Sequence, residues 1–258
     1  MQLFDSHAHY DDKKFDEDRE EILKSIKDSG VTKLVSVGYD IKSTKYAIKL
    51  ANKYDFIYAT AGISPNDIPQ TENELCKNIE QIEELAKEKK IVAIGEIGLD
   101  YYWNTNNKNM QKQAFIKQIE VANKLDLPIA IHTRDAVSDT LDILKNQMEV
   151  KNKGIFHCCP QNRELIKEAL KLGFYISFAG PITFKNAKNA DEMIDLVPLE
   201  KQLIETDSPY LSPEPNRGKR NDSRNVKYIA QKIANVKGVT LEEVAKITYK
   251  NACEIYNI

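Results

Sequence analysis

The sequence predicts an α/β protein that folds as a single (β/α)8 TIM barrel with C-terminal helices. Three observations lead to this prediction. The chain has 258 residues, and barrels of this kind typically have about 250. Short apolar segments alternate with longer amphipathic segments along the whole chain. Each of the four histidines lies at the end of an apolar segment, which is where the functional face of a barrel is found.

Eight short apolar segments are predicted to be strands. Several are almost continuously apolar, such as residues 91–94, and this is typical of strands that are buried on both faces of a parallel sheet. In chain order, the predicted strands are residues 2–5, 33–37, 57–61, 91–97, 128–131, 154–157, 174–178 and 202–205.

Helices are predicted between the strands, because apolar residues recur there at spacings of three and four. Examples are residues 15–27, 75–89 and 110–124, and two further helices at 226–234 and 241–256 follow the last strand. Eight strands with seven intervening helical segments predict a closed barrel, and an open doubly wound sheet is the alternative. No linker rich in Pro, Gly or Ser divides the chain, so we expect residues 1–258 to form one domain.

The composition excludes several classes of protein. With 41% apolar and 29% charged residues the chain is not disordered, and a formal charge of −2 argues against a broad basic face that coats long duplexes. The closest pair of the four cysteines, Cys158 and Cys159, is adjacent and lacks zinc-finger spacing. No signal sequence or apolar run of membrane-spanning length is evident. We expect a cytoplasmic protein without a membrane or an obligate protein partner.

The positions of the histidines predict a metal site. His7 and His9 follow the first strand, and residues two apart on a strand point to the same side. His132 ends the fifth strand and His157 ends the sixth. Because the carboxyl ends of barrel strands meet at one face, we expect all four imidazoles to converge. One such histidine would be interpreted as a hydrogen-bonded core residue, but four together favour metal binding.

Two carboxylates complete the predicted site. Glu96 ends the fourth strand and Asp207 follows the eighth, although each could alternatively cap a helix or pair with a lysine. Six donors exceed the need of one four-coordinate ion and suit two ions that share a bridging carboxylate. Glu96 is the predicted bridge, since it lies between the two histidine pairs in strand order. The donors favour Zn, Mn, Fe or Co, and Mg fits if a phosphate substrate supplies further ligands.

The segments that carry these histidines and carboxylates resemble the TatD family of metal-dependent deoxyribonucleases, which belong to the amidohydrolase-like barrels. The resemblance covers nearly the whole chain. The matching segments are FDSHAH at 4–9, GEIGLDY at 95–101, HTRDA at 132–136, FHC at 156–158, ETDSPYL at 205–211 and PNRGKRN at 215–221. The resemblance implies a TIM-like barrel, one or two divalent metals and hydrolysis of DNA phosphodiesters. The family's metal positions fall on His7, His9, Glu96, His132, His157 and Asp207.

One segment departs from the family pattern. The family usually has Gly-X-His-Pro-His after the third strand, where this chain has Gly-Ile-Ser-Pro-Asn at residues 62–66. Ser64 and Asn66 therefore replace two histidines that resemble phosphate-facing groups more than metal ligands. The metal site should survive this change, but phosphate recognition and the identity of the substrate are affected by it.

Further residues are predicted to contact the substrate: Arg134, Lys185, Arg217, Arg220 and Tyr101. Arg217 and Arg220 lie on the loop after Asp207, and guanidinium groups match phosphate oxygens; the alternative is a solvated loop. Arg134 is the second candidate, or a helix-surface ion pair, and Lys185 is weaker. Tyr101 and the two aromatic residues after it could stack on unpaired bases or pack on the barrel rim. Cys158 and Cys159 are interpreted as small apolar fillers.

The predicted function is hydrolysis of DNA phosphodiester bonds by a metal-activated water. Glu96 bridges the ions, while Asp207 holds a metal and accepts the proton of the attacking water. Chain ends, single strands or short oligonucleotides are the expected substrates. The second hypothesis is hydrolysis of another ester, a lactone or an amide at the same site, for example by an aminoacyl-RNA deacylase. A non-catalytic nucleic-acid- or metal-binding protein is the third.

Overall fold

A computed structural model of the protein describes residues 1–103 and 105–258. In these two ranges eight parallel strands form one sheet, and their order in the sheet is their order in the sequence. The strands are β1 (Leu3–Ala8), β2 (Val31–Ser36), β3 (Ile57–Ala61), β4 (Ile91–Asp100), β5 (Ile129–Arg134), β6 (Gly154–Phe156), β7 (Tyr175–Phe178) and β8 (Gln202–Ile204). All eight predicted strands are therefore confirmed.

The first and last strands meet just beyond β8. Ala8 forms a parallel bridge with Ser208. The His9 amide donates to the carbonyl of Ser208 at 2.7 Å, and the Asp207 amide donates to the carbonyl of His7 at 2.9 Å. These bonds join the two edges of the sheet, so the predicted barrel is confirmed and the open doubly wound sheet is wrong.

Helices surround the barrel, and those of the described residues are α1 (Arg19–Asp28), α2 (Ile41–Lys53), α3 (Glu72–Leu85), α4 (Lys108–Leu125), α5 (Val137–Asp142), α6 (Arg163–Lys171), α7 (Ala190–Leu196), α8 (Val226–Lys237) and α9 (Leu241–Ile255). The first helix begins later than predicted. Asp12 accepts from the amide of Lys14 and caps a separate short turn at Lys13–Phe15. As predicted, two helices follow the last strand.

The apolar core has two parts. The larger part fills the space between the strands and the helices. The smaller part lies inside the barrel and includes Phe4, Ile155 and Leu203 together with Tyr256, the residue that follows α9. The Tyr256 hydroxyl donates to the carbonyl of Ser6 at 3.1 Å, one residue before His7. Helix α9 therefore packs against the inner part of the core.

The pairing of β4 with β5 determines where Glu96 lies. The register between these strands shifts between Ile94 and Ile97, which places Glu96 in an irregularity of the kind that re-aims side chains beside active sites. Gly98 is paired with His132 and has φ +137°, and a Cβ atom there would lie 2.0 Å from the carbonyl oxygen of His132. Glycine is required at this close approach. None of the helices in the described ranges is both long and apolar enough to span a membrane.

Candidate metal centre

All six predicted metal donors lie at the carboxyl ends of their strands. Five of them line a cavity of ≈ 800 Å³, and His7 is buried directly beneath it. The five donors in the lining are His9, Glu96, His132, His157 and Asp207. The structure therefore brings together the whole set that the sequence predicted, on the face where barrel enzymes carry their active sites.

Four donor atoms form the first group. Nε2 of His7 lies 3.2 Å from Nε2 of His9 and 3.4 Å from Oε2 of Glu96. Oδ1 of Asp207 lies 3.8 Å from Nε2 of His7 and 3.2 Å from Nε2 of His9. The remaining measured edge, from His9 to Glu96 Oε2, is 3.7 Å.

Five of the six separations among these donors are close to those expected for a four-coordinate ion. Ligands about 2.0–2.2 Å from a tetrahedral ion lie roughly 3.3–3.6 Å from one another. The five distances, 3.2, 3.4, 3.8, 3.2 and 3.7 Å, scatter around that value. Two imidazoles and two carboxylates are also a donor set that Zn and neighbouring transition metals prefer. The residues present therefore fit the group that they were predicted to hold.

Three donor atoms form the second group. Nδ1 of His132 lies 2.9 Å from Oε1 of Glu96 and 3.1 Å from Nε2 of His157, and the latter lies 3.3 Å from the same carboxylate oxygen. Neighbouring ligands of a four- or six-coordinate ion are about 2.9–3.6 Å apart. Three protein donors leave coordination positions for water or substrate, which is the pattern of catalytic sites.

Glu96 belongs to both groups. Its Oε2 faces His7 and His9, whereas its Oε1 faces His132 and His157. This is the geometry expected of the bridging carboxylate in a two-metal site.

The electrostatic environment favours bound cations. Burial raises the pKa of the Glu96 carboxyl, but the charge of His157 and hydrogen bonds from neighbouring imidazoles outweigh it and hold the pKa well below its ordinary value. Burial lowers the pKa of His157, yet Glu96 and Glu205 raise it well above the ordinary value. The carboxylates thus stay ionised and attract protons to the imidazoles, and a divalent cation would take the place of those protons.

Asp100 is a functional residue that the sequence reasoning missed. Its Oδ2 lies 3.0 Å from Nε2 of His132, the ring nitrogen that does not face Glu96. Carboxylates in this position orient metal-bound histidines and raise their basicity. Asp100 belongs to the GEIGLDY segment, and its position on β4 four residues beyond Glu96 was the signal that could have identified it.

Glu205 was also missed, because it was interpreted only as the end of a strand. Its Oε1 lies 3.3 Å from Nδ1 of His157 and accepts from the amide of Cys158 at 2.6 Å, while its Oε2 accepts from the hydroxyl of Ser177 at 2.5 Å. His7, His157 and Glu205 could together approach one ion. Since both oxygens of Glu205 already accept hydrogen bonds, the carboxylate is better suited to orienting His157.

The two residues that replace the expected histidines, Ser64 and Asn66, line the cavity but lie outside both donor groups. The Ser64 hydroxyl donates to Asp67 at 2.6 Å. The Asn66 amide donates to Oδ2 of Asp100 at 3.3 Å, so Asn66 reaches the second group only through Asp100.

Of the five residues that were predicted to contact the substrate, one lines the cavity and four lie outside it. Of the described residues in the cavity lining, Arg134 is the one arginine or lysine. Arg220 instead binds Asp18 with two nitrogens and the carbonyl of Lys14. The other three predicted contacts also lie outside the lining. The guanidinium of Arg217 lies over the ring of Phe184, and Lys185 is exposed. The hydroxyl of Tyr101 donates to Asp139.

Of the two adjacent cysteines, Cys158 lines the cavity and Cys159 is buried. Burial raises the pKa of the Cys158 thiol well above its ordinary value, and the charge of Asp207 acts in the same direction. The thiol is therefore protonated, and neither sulfur belongs to a cluster able to hold a metal among the described residues.

A barrel that carries two donor groups joined by one carboxylate at the carboxyl ends of its strands defines the class of metal-dependent barrel hydrolases. The chain belongs to the TatD family within this class: the sequence profile of the TatD-related DNases matches residues 4–257. The chain is 44% identical to the uncharacterized metal-dependent hydrolase YabD of Bacillus subtilis (strain 168), over 99% of both chains.

Two further comparisons agree. The chain is 31% identical, over 99% of both chains, to a protein of Shigella flexneri serotype 5b (strain 8401) that is named 3'-5' ssDNA/RNA exonuclease TatD. The crystal structure of YJJV, a TatD homolog from Escherichia coli K12, has a TM-score of 0.92 with 24% identity and covers 99% of this chain and 98% of that one. At 24% identity, the likeness to the crystal structure shows the fold alone.

Proposed function

We propose that the protein hydrolyses phosphodiester bonds of DNA, and that it acts on chain ends, single strands or short oligonucleotides. The observation that carries this proposal is the division of the Glu96 carboxylate between two donor groups at the floor of a cavity. Two-metal sites of this kind recur in enzymes that cleave phosphate esters.

The donors have separate roles in this proposal. One divalent ion would be held by His7, His9, Glu96 and Asp207, and a second by Glu96, His132 and His157. When bound, such ions polarise a phosphoryl oxygen and lower the pKa of water. Asp207 accepts the proton of the attacking water, because its carboxylate is ionised and lies at the cavity surface.

The burial of the donor atoms and the net charge of the protein favour a strand end over a continuous duplex. The donor atoms are buried, with His7 fully enclosed and Glu96 8% exposed. A phosphodiester must therefore enter the cavity to reach them. With a net charge of −2, the protein offers little non-specific attraction to a long duplex. The name of the Shigella relative supports a single-strand exonuclease.

A second candidate function is hydrolysis of an acyl ester, a lactone or an amide, for example in aminoacyl-RNA. The observation that favours it is the neutral pair Ser64 and Asn66, which line the cavity where the family usually has histidines. Neutral side chains offer less to a phosphate than to a carbonyl substrate. In this alternative the same metal donors serve an acyl transfer.

Turnover on matched substrates tests the proposal. Purified protein of known metal content would be assayed on a single-stranded oligonucleotide, its duplex, an aryl acetate, a lactone and an aminoacyl-RNA, each with Zn, Mn, Fe, Co or Mg. We expect the highest kcat/KM on the single strand, and Glu96→Gln serves as the inactive control. Higher kcat/KM on an acyl substrate than on every phosphodiester would refute the proposal and support the second candidate.

A further inference from the structure

An exposed aromatic pair stands at the rim of the cavity. Trp103 lines the cavity and is 68% exposed, and the adjacent Tyr102 is 54% exposed. Their ring centroids are 4.8 Å apart at an interplanar angle of 89°, so the edge of one ring meets the face of the other. A contiguous exposed aromatic patch beside a cavity is typical of a ligand-binding surface.

The pair is held by the carboxylate that also contacts the second donor group. Oδ1 of Asp100 accepts from the amides of Tyr102 and Trp103 at 2.9 and 3.0 Å. Its Oδ2 lies 3.0 Å from Nε2 of His132. The position of the Trp103 backbone is therefore fixed relative to the metal donors, as a preorganised binding element requires.

A cation accompanies the aromatic pair. Cζ of Arg134 lies 3.8 Å from the ring centroid of Tyr102 and 5.5 Å from that of Trp103. A guanidinium that stacks on a ring lies parallel to it. Its N–H groups then point outward from the stack, where they can donate to phosphate oxygens. The rim thus combines an open aromatic face with a phosphate-binding cation.

We propose that Trp103 is a nucleobase subsite: its indole stacks on the unpaired base of the nucleotide next to the scissile phosphate, with Arg134 on that nucleotide's backbone. This inference rests on the proposed nuclease function and names the part of the substrate that the site recognises. Base–aromatic stacking tolerates every base, because each has a π face. A duplex is excluded from the subsite because its bases are already stacked on one another.

Trp103 is a better platform than Tyr210, the other exposed aromatic residue of the lining. Tyr210 is 44% exposed, its hydroxyl donates to Asp12, and Nζ of Lys14 lies 4.4 Å from its ring centroid. One face of Tyr210 is thus covered by Lys14. Trp103 is 68% exposed and its nearest cation, Arg134, lies further from the ring at 5.5 Å, so Trp103 is the ring on which a base is expected to lie.

The protein contains a single tryptophan, so fluorescence excited at a wavelength that tryptophan absorbs and tyrosine does not reports on the proposed subsite. Metal-loaded protein would be titrated with thymidine 5'-monophosphate, which has no phosphodiester to cleave, and with 2-deoxyribose 5-phosphate, which has no base. We expect saturable quenching by the nucleotide and none by the sugar phosphate. Equal responses to both ligands, or no response to the nucleotide, would overturn the proposal.

Two variants provide an independent readout. Trp103→Leu removes the aromatic face, and we expect it to raise KM for a single-stranded dinucleotide roughly 5- to 150-fold, the range for loss of one stacked base, with little change in kcat. Trp103→Phe keeps an aromatic face and should retain most of the affinity. A dinucleotide analogue that lacks both bases should show no difference between the variants. A Trp103→Leu protein with unchanged KM contradicts the subsite.

The two proposals fail in different ways. If the wild type cleaves the dinucleotide but Trp103 neither is quenched nor affects KM, the subsite is wrong and the nuclease function stands. If the wild type cleaves no phosphodiester, the proposed function is wrong. Quenching by the nucleotide without any cleavage would show that Trp103 binds a base in a protein with another reaction, and a subsite beside a scissile phosphate would then be wrong.

Discussion

The carboxylate of Asp100 lies 3.0 Å from Nε2 of His132, and the opposite ring nitrogen of this histidine lies 2.9 Å from Glu96. Burial lowers the pKa of His132, but Asp100 and Glu96 together raise it above the ordinary value. His132 is thus held between two carboxylates, with Nδ1 directed at the second donor group.

Removing the charge of Asp100 should weaken the second donor group. Asp100→Asn keeps an oxygen for the amides of Tyr102 and Trp103 but loses the negative charge beside His132. We expect the affinity of the weaker metal position to fall about 10- to 100-fold, as is typical for partners of metal-bound histidines. Metal titration followed by elemental analysis measures this. Asp139→Asn, which changes a carboxylate outside the cavity, is the control, and equal affinities in both variants would contradict the role of Asp100.

Asp207→Asn separates metal binding from proton transfer. The amide keeps one oxygen ligand but loses most of the basicity. Because His7, His9, Glu96, His132 and His157 remain, we expect measurable bound metal in a folded protein. Turnover should fall about a hundredfold or more, the scale of general-base catalysis.

Metal content and single-turnover rates of Asp207→Asn should be measured on one preparation, with circular dichroism to verify folding. Near-native rates at full metal occupancy would show that Asp207 is not the base.

Ser64 provides a test of substrate preference. Ser64→His introduces a group that can donate to phosphate, and we expect kcat/KM for phosphodiesters to rise relative to acyl esters by roughly 10- to 150-fold, the effect of one charged hydrogen bond. Metal content should not change, since Ser64 lies outside both donor groups. Asn66→His is the companion variant. A lost or an additional metal ion in either protein would show that this loop supplies ligands.

The sequence predicted phosphate contacts for both Arg220 and Arg134, with Arg134 as the second candidate; of the two, Arg134 lines the cavity and Arg220 is paired with Asp18. Arg134→Ala should lower kcat/KM for phosphodiesters roughly 10- to 150-fold, which corresponds to about 1.5–3 kcal/mol for one charged hydrogen bond, and should leave neutral esters unaffected. Arg220→Ala breaks the contacts to Asp18 and Lys14. Its effect should therefore be the same on both substrate classes, with a loss of stability of about 1 kcal/mol or less for an exposed pair.

Steady-state kinetics on a dinucleotide and an aryl acetate, together with thermal unfolding, distinguish the two arginines. A phosphodiester-specific loss in Arg220→Ala would show that Arg220 reaches the substrate despite its contact with Asp18.

The sequence sufficed for the barrel because its signal is repeated: each strand is an apolar segment and each helix has its own periodicity. The donors could be predicted for a related reason. His132 and Glu96 belong to strand ends, and the topology alone brings such ends to one face. Local boundaries were harder, as at the first helix, where one side-chain cap at Asp12 divides a continuous amphipathic pattern into a turn and a helix.

Pairings between distant side chains could not be predicted. The partner of Arg220 is Asp18, 202 positions away, and nothing in the spacing of the basic loop indicates it. Glu205 was interpreted as a strand end for the same reason, since its role depends on Ser177 and His157 from two other strands. Periodicity determines which face of an element is buried, but not which polar group it meets there.

The bridge between Ala8 and Ser208 has a consequence for how the protein is synthesised. His132 and His157 are 25 positions apart, so the histidines of the second group leave the ribosome almost together. The first group depends on contacts such as that of Asp5 with Thr206, which span 201 positions. A nascent chain can therefore complete this group only after β8 has emerged and joined β1. An ion held by His7, His9 and Asp207 would then connect β1 to the segment after β8. Chains in which the barrel had not closed would lack this ion.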